Sequence, residues 1–415
     1  MNASPVLLGD LECERGAFVD GPFGSNLKAS EYTNSGVPVM RIQNVKPDRY
    51  VDSDIKFISE SKARSLQRHR YSSGDVVIAK LGDCGTACLV PDGLPDGIIV
   101  ADVVRFRGDP GRIHHGYLSR FLNSELGQRQ VRMRSKGTTR RRINLTDLKQ
   151  ILVPLPPIEE QKRIAAILDK ADAIRRKRQQ AIELTDQLLR SVFSDMFGDL
   201  RADWPTKTVD EIASSEKGSI RTGPFGSQLL HSEFVNSGVS VLGIDNAVTN
   251  SFRWAKRRYI TREKYAQLER YTVKPDDVLI TIMGTCGRCA IVPDDVPVAI
   301  NTKHLCCITL NQELCLPEYL HSYFLMHPVA RRYLDNATKG AIMDGLNMRI
   351  IRDLPVHCPP LAQQKKYREI TMRLAQHAHT HSDAEGVSGD LFSSLSQRVF
   401  AGRNSDFAQT SGTVA

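Results

Sequence analysis

The chain has 415 residues, 56 Lys and Arg against 47 Asp and Glu, and a formal net charge of +9; at roughly 150 residues per domain it can build two or three domains. Apolar residues at 41% and charged residues at 25% describe a folded chain rather than a disordered one, and the basic balance leans towards a polyanionic partner. Residues 1–16 hold no basic, apolar leader, no apolar run reaches the roughly 18–20 residues of a membrane span, and nine Cys without an export signal fit reduced thiols, so a soluble, cytoplasmic protein is expected.

In chain order, the first predicted elements are short strands rich in β-branched residues and bounded by Gly, Pro and Asp: VPVMRIQNV (37–45), DVVIAKLG (75–82) and IIVADVVRF (98–106). A helical stretch over 115–133 follows, then a Gly-containing loop and Pro156-Pro157. Residues 158–197 contain no Gly or Pro and read as one helix, ~60 Å long at 1.5 Å per residue. Ile164, Ile167, Leu168, Ala171, Ile174, Ala181, Ile182, Leu188, Leu189 and Val192 recur along it at three- and four-residue steps, the pattern of a coiled-coil seam. Gly198 and Pro205 mark its end and the start of the second copy.

The same order then returns. GPFGSNLKASEYTNSGVPVMRIQNV (21–45) and GPFGSQLLHSEFVNSGVSVLGIDNA (223–247) agree at fifteen of 25 positions at an offset of 202, which carries GDCG (82–85) onto GTCG (284–287) and Val90-Pro91-Asp92 onto Val292-Pro293-Asp294. Further on the offset becomes 203, with Asn144 on Asn347 and Pro156-Pro157 on Pro359-Pro360. The period is too long for a solenoid, so the chain is a tandem duplication. The domain plan is 1–155, a first spacer helix 156–200, 201–358, a second helix 359–402 interrupted near Gly386 and Gly389, and a polar tail 403–415.

Catalytic signatures are missing: there is no GxxxxGK[ST] loop, no HExxH helix and no GxGxxG, and LPPI (155–158) and CPPL (358–361) lack the amide or carboxylate that an adenine methyltransferase places before its Pro-Pro. Cys84, Cys88, Cys286, Cys289, Cys306 and Cys307 are the best metal candidates, but the first copy offers no second ligand pair. Buried thiols are expected, and no metal. His377, His379 and His381 alternate and would not share a helix face. Residues 126–146 hold seven Lys or Arg and no acid, with Thr138 and Thr139 beside Lys136, Arg140, Arg141 and Arg142; hydroxyls and guanidinium groups on a loop suit phosphate oxygens and base edges. The second copy is less basic there and carries Arg253, Trp254, Lys256, Arg257 and Arg258 elsewhere. Segments common to both halves, such as GPFGS, are expected to keep the fold, and those that differ to read something different.

The repeated GPFGSxL opening, the GDVVIAKLGDCG and DDVLITIMGTCG segments, and the junction INLTDLKQILVPLPPIEEQKRIAAILD (143–169) with its partner LNMRIIRDLPVHCPPLAQQKKYREI (346–370) come in an order that resembles the specificity subunit of type I restriction-modification systems. The resemblance implies an α+β chain of two similar α/β target-recognition domains, each followed by a long helix, the helices pairing as an antiparallel coiled coil with pseudo-twofold symmetry. It implies a non-catalytic subunit that reads a bipartite double-stranded DNA target. Two methylation subunits, which bind S-adenosylmethionine, and restriction-translocase subunits would join it, with no cofactor in this chain. By analogy, DNA contacts are expected from Ser25, Asn26, Lys28, Arg41, Gln43, Asn44, Lys80, Thr138, Thr139, Arg140, Arg141 and Arg142 in the first copy. In the second they are expected from Ser227, Gln228, Asp245, Asn246, Arg257, Arg258, Thr281, Lys339 and Met343. Helix pairing or subunit docking is expected from Ile164, Leu168, Ala171, Ile174, Leu188, Val192, Ile370, Leu374, Leu391 and Leu395. Two other readings stand beside this one: a methyltransferase or nuclease in its own right, which would modify or cut DNA alone, and a coiled-coil scaffold without DNA contact.

Overall fold

A computed structural model describes residues 5–24, 26–137, 140–198, 204–254, 256–338, 345–374, 376 and 400. Ser25, Thr138, Thr139, Lys339, Met343, Leu391 and Leu395, the histidines at 377, 379 and 381, the Gly386/Gly389 interruption and the tail lie outside the described residues. The chain forms two compact units, residues 1–179 with 383–415 and residues 180–382.

In the first unit the strands Phe18–Asp20, Val103–Phe106, Val76–Ala79 and Ala87–Leu89 form an antiparallel sheet in that order. Strand Val76–Ala79 is buried on both faces, which is why it reads as a continuous apolar run rather than an alternation. Its side chains still alternate. Val76 and Ile78 join Tyr117, Leu118 and Phe121 of the helix His115–Asn123, whereas Val77 and Ala79 meet Met40 and Ile99 of a second sheet. That sheet runs Lys56–Ile58, Val37–Met40, Gly97–Ile99, Arg70–Tyr71, with its central pair parallel. Strand Pro5–Leu7 pairs with Leu152–Pro154.

The second unit repeats this plan with Ile220–Thr222, Leu305–Ile308, Val278–Thr281 and Cys289–Ile291 in one sheet, Tyr259–Ile260, Val239–Leu242 and Ala299–Asn301 in the other, and Thr206–Thr208 paired with Pro355–His357. The sequence offset is visible in the strands. Phe18–Asp20 and Ile220–Thr222 differ by 202, whereas Leu152–Pro154 and Pro355–His357 differ by 203. The counterpart of strand Arg70–Tyr71 is reduced to a bridge between Thr272 and Ile300.

The helix Ile158–Phe197 spans 40 residues. The sequence reading sets it apart as a spacer; packing divides it between the units because both ends are core residues. Ile164, Ala165 and Leu168 are buried in the first unit's core. Phe193 and Phe197 are buried in the second unit's, where Phe197 lies 4.9 Å from Tyr319 and Phe193 5.6 Å from Tyr367. Ile164 and Leu168 are therefore domain-core positions, a correction to the expected seam, and Val192 packs against the second core. Ile174 and Leu188, at 51% and 48% exposed, remain open to a partner; Ala171, Ile370 and Leu374 are half-buried. A second helix covers residues 361–374. Phe400 is buried in the first unit, 5.5 Å from both Tyr117 and Phe121.

Each helix is fastened to its domain by a buried glutamine. Gln161 Nε2 donates to the carbonyls of Arg112 (2.9 Å) and Pro156 (2.8 Å), and its Oε1 accepts from His114 N–H (2.8 Å). Gln364 does the same with Leu314, Pro359 and Leu316. The first unit adds an ionic clamp: buried Arg120 reaches Asp48 at 3.1 Å, Asp169 at 2.8 Å and Asp172 at 3.4 Å. Ser322 stands in its place in the second unit and accepts from the Tyr367 hydroxyl at 2.7 Å. No helix among the described residues is long and apolar enough to cross a membrane.

Candidate nucleic-acid interface

Four strands of the first unit finish at one end. Phe18–Asp20 and Val76–Ala79 both run antiparallel to Val103–Phe106, Val37–Met40 runs parallel to Gly97–Ile99, and the turn from Val100 to Val103 joins the two sheets there. Such strand ends are where a rigid scaffold carries variable loops. From them leave the GPFGS loop, the Arg41–Asn44 turn and the Lys80–Gly82 segment. The basic hairpin is laid across them: Arg142 bridges to Leu81 and Lys136, Gly82 N–H donates to the Arg141 carbonyl, and the Cys84 thiol lies 3.1 Å from the Lys80 carbonyl and 2.9 Å from that of Arg141. In the second unit Met283 bridges to Gly345, and Leu346 N–H donates to the Ile282 carbonyl at the corresponding place.

Most of the expected contact residues divide into two groups. Asn26, Lys28, Gln43, Arg140, Arg141 and Arg142 in the first unit, and Ser227, Gln228 and Arg257 in the second, are exposed. Arg140 and Arg141 make no side-chain ion pair among the described residues, whereas Arg142 pairs with Asp102 at 2.7 Å and Arg132 with Glu125. Arg257 lies over the Trp254 ring at 5.0 Å. Four expected contacts are instead scaffold, a correction with a plain cause. Asn44 and Asn246 are buried and their amides are consumed locally: Asn44 accepts from Arg41 N–H and donates to the Val51 and Ser53 carbonyls, and Asn246 accepts from Gly243 N–H and donates to the Arg253 carbonyl. The buried Thr281 hydroxyl donates to the Thr285 carbonyl and accepts from Arg288 N–H at 2.9 Å. Lys80 is buried against Asp20 at 2.6 Å.

One corner holds a guanidinium in both units, delivered from different strands. Arg41 is held by Asp54 at 2.8 Å, and Lys56 reaches the same carboxylate at 2.9 Å. The hydrogen bond from Arg41, then that from Lys56, holds the Asp54 carboxyl well below the usual range. The second unit has Gly243 where Arg41 stands and Arg258 where Lys56 stands. A Cβ on Gly243 would lie 2.7 Å from Arg258 Nη1, and Asp245 clamps that guanidinium at 2.9 Å.

Of the six candidate thiols Cys84, Cys88, Cys289, Cys306 and Cys307 are buried, as expected, and Cys286 is half-buried; burial pushes the Cys88 thiol up to about 12. Among the described residues no three His, Cys, Asp or Glu side chains are grouped to hold a metal ion. Asp54 and Asp102 carry no signal in the sequence, whereas the exposed Phe23 and Phe225 carry one, the repeat of GPFGS.

The type I restriction modification DNA specificity domain family matches residues 24–184 and again residues 202–380. The chain belongs to that family. The EcoBI specificity subunit of Escherichia coli is 23% identical over 421 residues, 91% of this chain and 82% of that one. The putative MjaX specificity subunit of Methanocaldococcus jannaschii is 21% identical over 80% of this chain and 78% of its own. Among solved structures, the S subunit of the type I restriction-modification system from M. genitalium shares the fold, with a TM-score of 0.63 and 14% identity over 96% of both chains. The two units are thus the two target-recognition domains of a type I specificity subunit, a recognition component rather than a catalytic part of a restriction-modification enzyme.

Proposed function

We propose that this specificity subunit reads a bipartite double-stranded DNA target, one half-site per domain, with the loops that leave the strand ends. The observation that carries the reading is the same strand-end surface in both units, with different residues on it: Arg41 against Gly243, Gln43 against Asp245 and Lys56 against Arg258, over a scaffold kept by Asn44 and Asn246. Exposed Arg140 and Arg141 supply charge for phosphates. The open stripe of Ile174, Leu184 and Leu188 would serve helix pairing or the docking of two methylation subunits. Those subunits would bring S-adenosylmethionine and the methyl-transfer chemistry, and restriction-translocase subunits would join them, in the cytoplasm where the DNA is.

A gel-shift titration of the reconstituted methylation complex against salt tests this. Arg140→Ala/Arg141→Ala should lower the slope of log affinity against log salt by about one unit per lost contact while leaving the melting temperature in place. An unchanged slope removes the basic hairpin from the interface; a wild-type complex that binds no DNA removes the reading.

A further inference from the structure

Phe23 and Phe225 occupy the same position of the repeated GPFGS loop and are 64% and 48% exposed. The glycine that opens each loop has a reason inside the chain. A Cβ on Gly21 would lie 1.9 Å from the Val100 carbonyl oxygen, and one on Gly223 1.9 Å from that of Asn301, so the loop leaves its strand pressed against backbone where only glycine fits. Asn26 N–H donates to the Phe23 carbonyl at 2.7 Å and Gln228 N–H to that of Phe225 at 3.1 Å, closing a turn after each phenylalanine. Gln228 Oε1 also accepts from Phe225 N–H at 3.2 Å and from the Tyr271 hydroxyl at 2.9 Å. The next apolar residues, Leu27 and Leu229, pack into the small cores behind the loops. Among the described residues the two phenylalanine rings belong to none of the cores.

A single exposed phenylalanine is ordinary. The same ring, exposed at the same loop position in two domains whose reading residues differ, is not accounted for by the folding of either. The strand ends of the first unit also present Lys28, Lys136, Arg140 and Arg141, and those of the second Lys256 and Arg257.

We propose that Phe23 and Phe225 are wedges that insert against the base stack at each half-site, with the flanking cations on the phosphates. Apolar side chains set between base steps open the stack and bend the duplex. A ring that stacks on a base is indifferent to which base it meets, so one residue type serves two domains that read different sequences. This inference rests on the DNA reading proposed above.

The test uses the full chain copurified with its methylation subunits and duplexes carrying 2-aminopurine at successive positions of the target identified from the methylome, leaving out the methylated base, which a methyltransferase turns out of the stack by itself. The wild-type complex should brighten the probe at one step per half-site. Phe23→Ala should abolish the signal at one half-site and Phe225→Ala at the other, each with about a tenfold or greater loss of affinity, while Phe23→Trp retains both signal and affinity. Melting temperatures should not move, because both rings are exposed. Specific binding without brightening, or brightening that survives both alanine variants, overturns the wedge. Alanine variants that keep DNA binding but shed a methylation subunit in size-exclusion chromatography overturn it in favour of a protein contact. A wild-type complex that binds no DNA overturns the underlying reading, an outcome distinct from the other two.

Discussion

Replacing Gln161 or Gln364 by alanine tests how each recognition domain is fixed to its helix. Gln161→Ala leaves the part-buried N–H of His114, the part-buried carbonyl of Arg112 and the buried carbonyl of Pro156 without their partner. At about 1–3 kcal/mol per buried group left unsatisfied, softened because a carbonyl has a second lone pair, the loss is roughly 3–5 kcal/mol. Gln364→Ala strands Leu316, Leu314 and Pro359 in the same way and should cost the same. Trp204 and Trp254, the two tryptophans of the chain, both lie in the second unit, so tryptophan fluorescence follows that unit while far-ultraviolet circular dichroism follows both. With a urea dependence of ~3 kcal/mol per molar, either variant should lower its own unit's midpoint by about 1 M or more. Gln364→Ala should move the fluorescence transition, and Gln161→Ala only the dichroism. Shifts under about 0.3 M in both, or a fluorescence transition that moves equally with Gln161→Ala, would refute the clamp.

Two further outcomes follow from buried groups. Burial and then the neighbouring His357 push His327 down from 6.5 to about 4, and its Nδ1 accepts from Val329 N–H at 3.3 Å, which a protonated nitrogen cannot do. A depressed folded pKa gives stability that is complete above the unfolded value and lost as pH falls. The fluorescence-detected midpoint should therefore drop between pH 6.5 and 4, and His327→Asn, which can still accept, should flatten that drop; an unchanged acid slope contradicts this. Phe400→Ala should cost the first unit about 3–5 kcal/mol, seen by circular dichroism, because the ring is buried against Tyr117 and Phe121. Unmoved dichroism would show that the ring does not complete that core.

The duplication was legible because strands and turns repeat at a fixed offset, even to the change from 202 to 203 before the Pro-Pro junction. Burial was not. Asn44, Asn246, Lys80 and Thr281 are polar residues on the reading loops; scaffolding explains the two asparagines equally well in sequence, and the fold decides by bonding each within its own loop or ion-pairing it. The run of seven basic residues contains no acid in sequence, yet Asp102 and Glu125 reach two of them from outside it. The helical stripe carried the right period and hid two destinations, since the same spacing that makes a seam also seats Ile164 and Leu168 on their own domain. Reasoning that shared residues keep the fold holds for Gly21 and Gly223 but not for Phe23 and Phe225, which the fold leaves exposed.

Methylome sequencing of cells that carry the intact system tests the central claim most directly, with the wild-type chain beside a variant whose residues 256–258 are exchanged. The account predicts a bipartite motif with an unspecified gap, of which the exchange alters one half and leaves the other. A continuous motif, or an exchange that alters both halves, would contradict it.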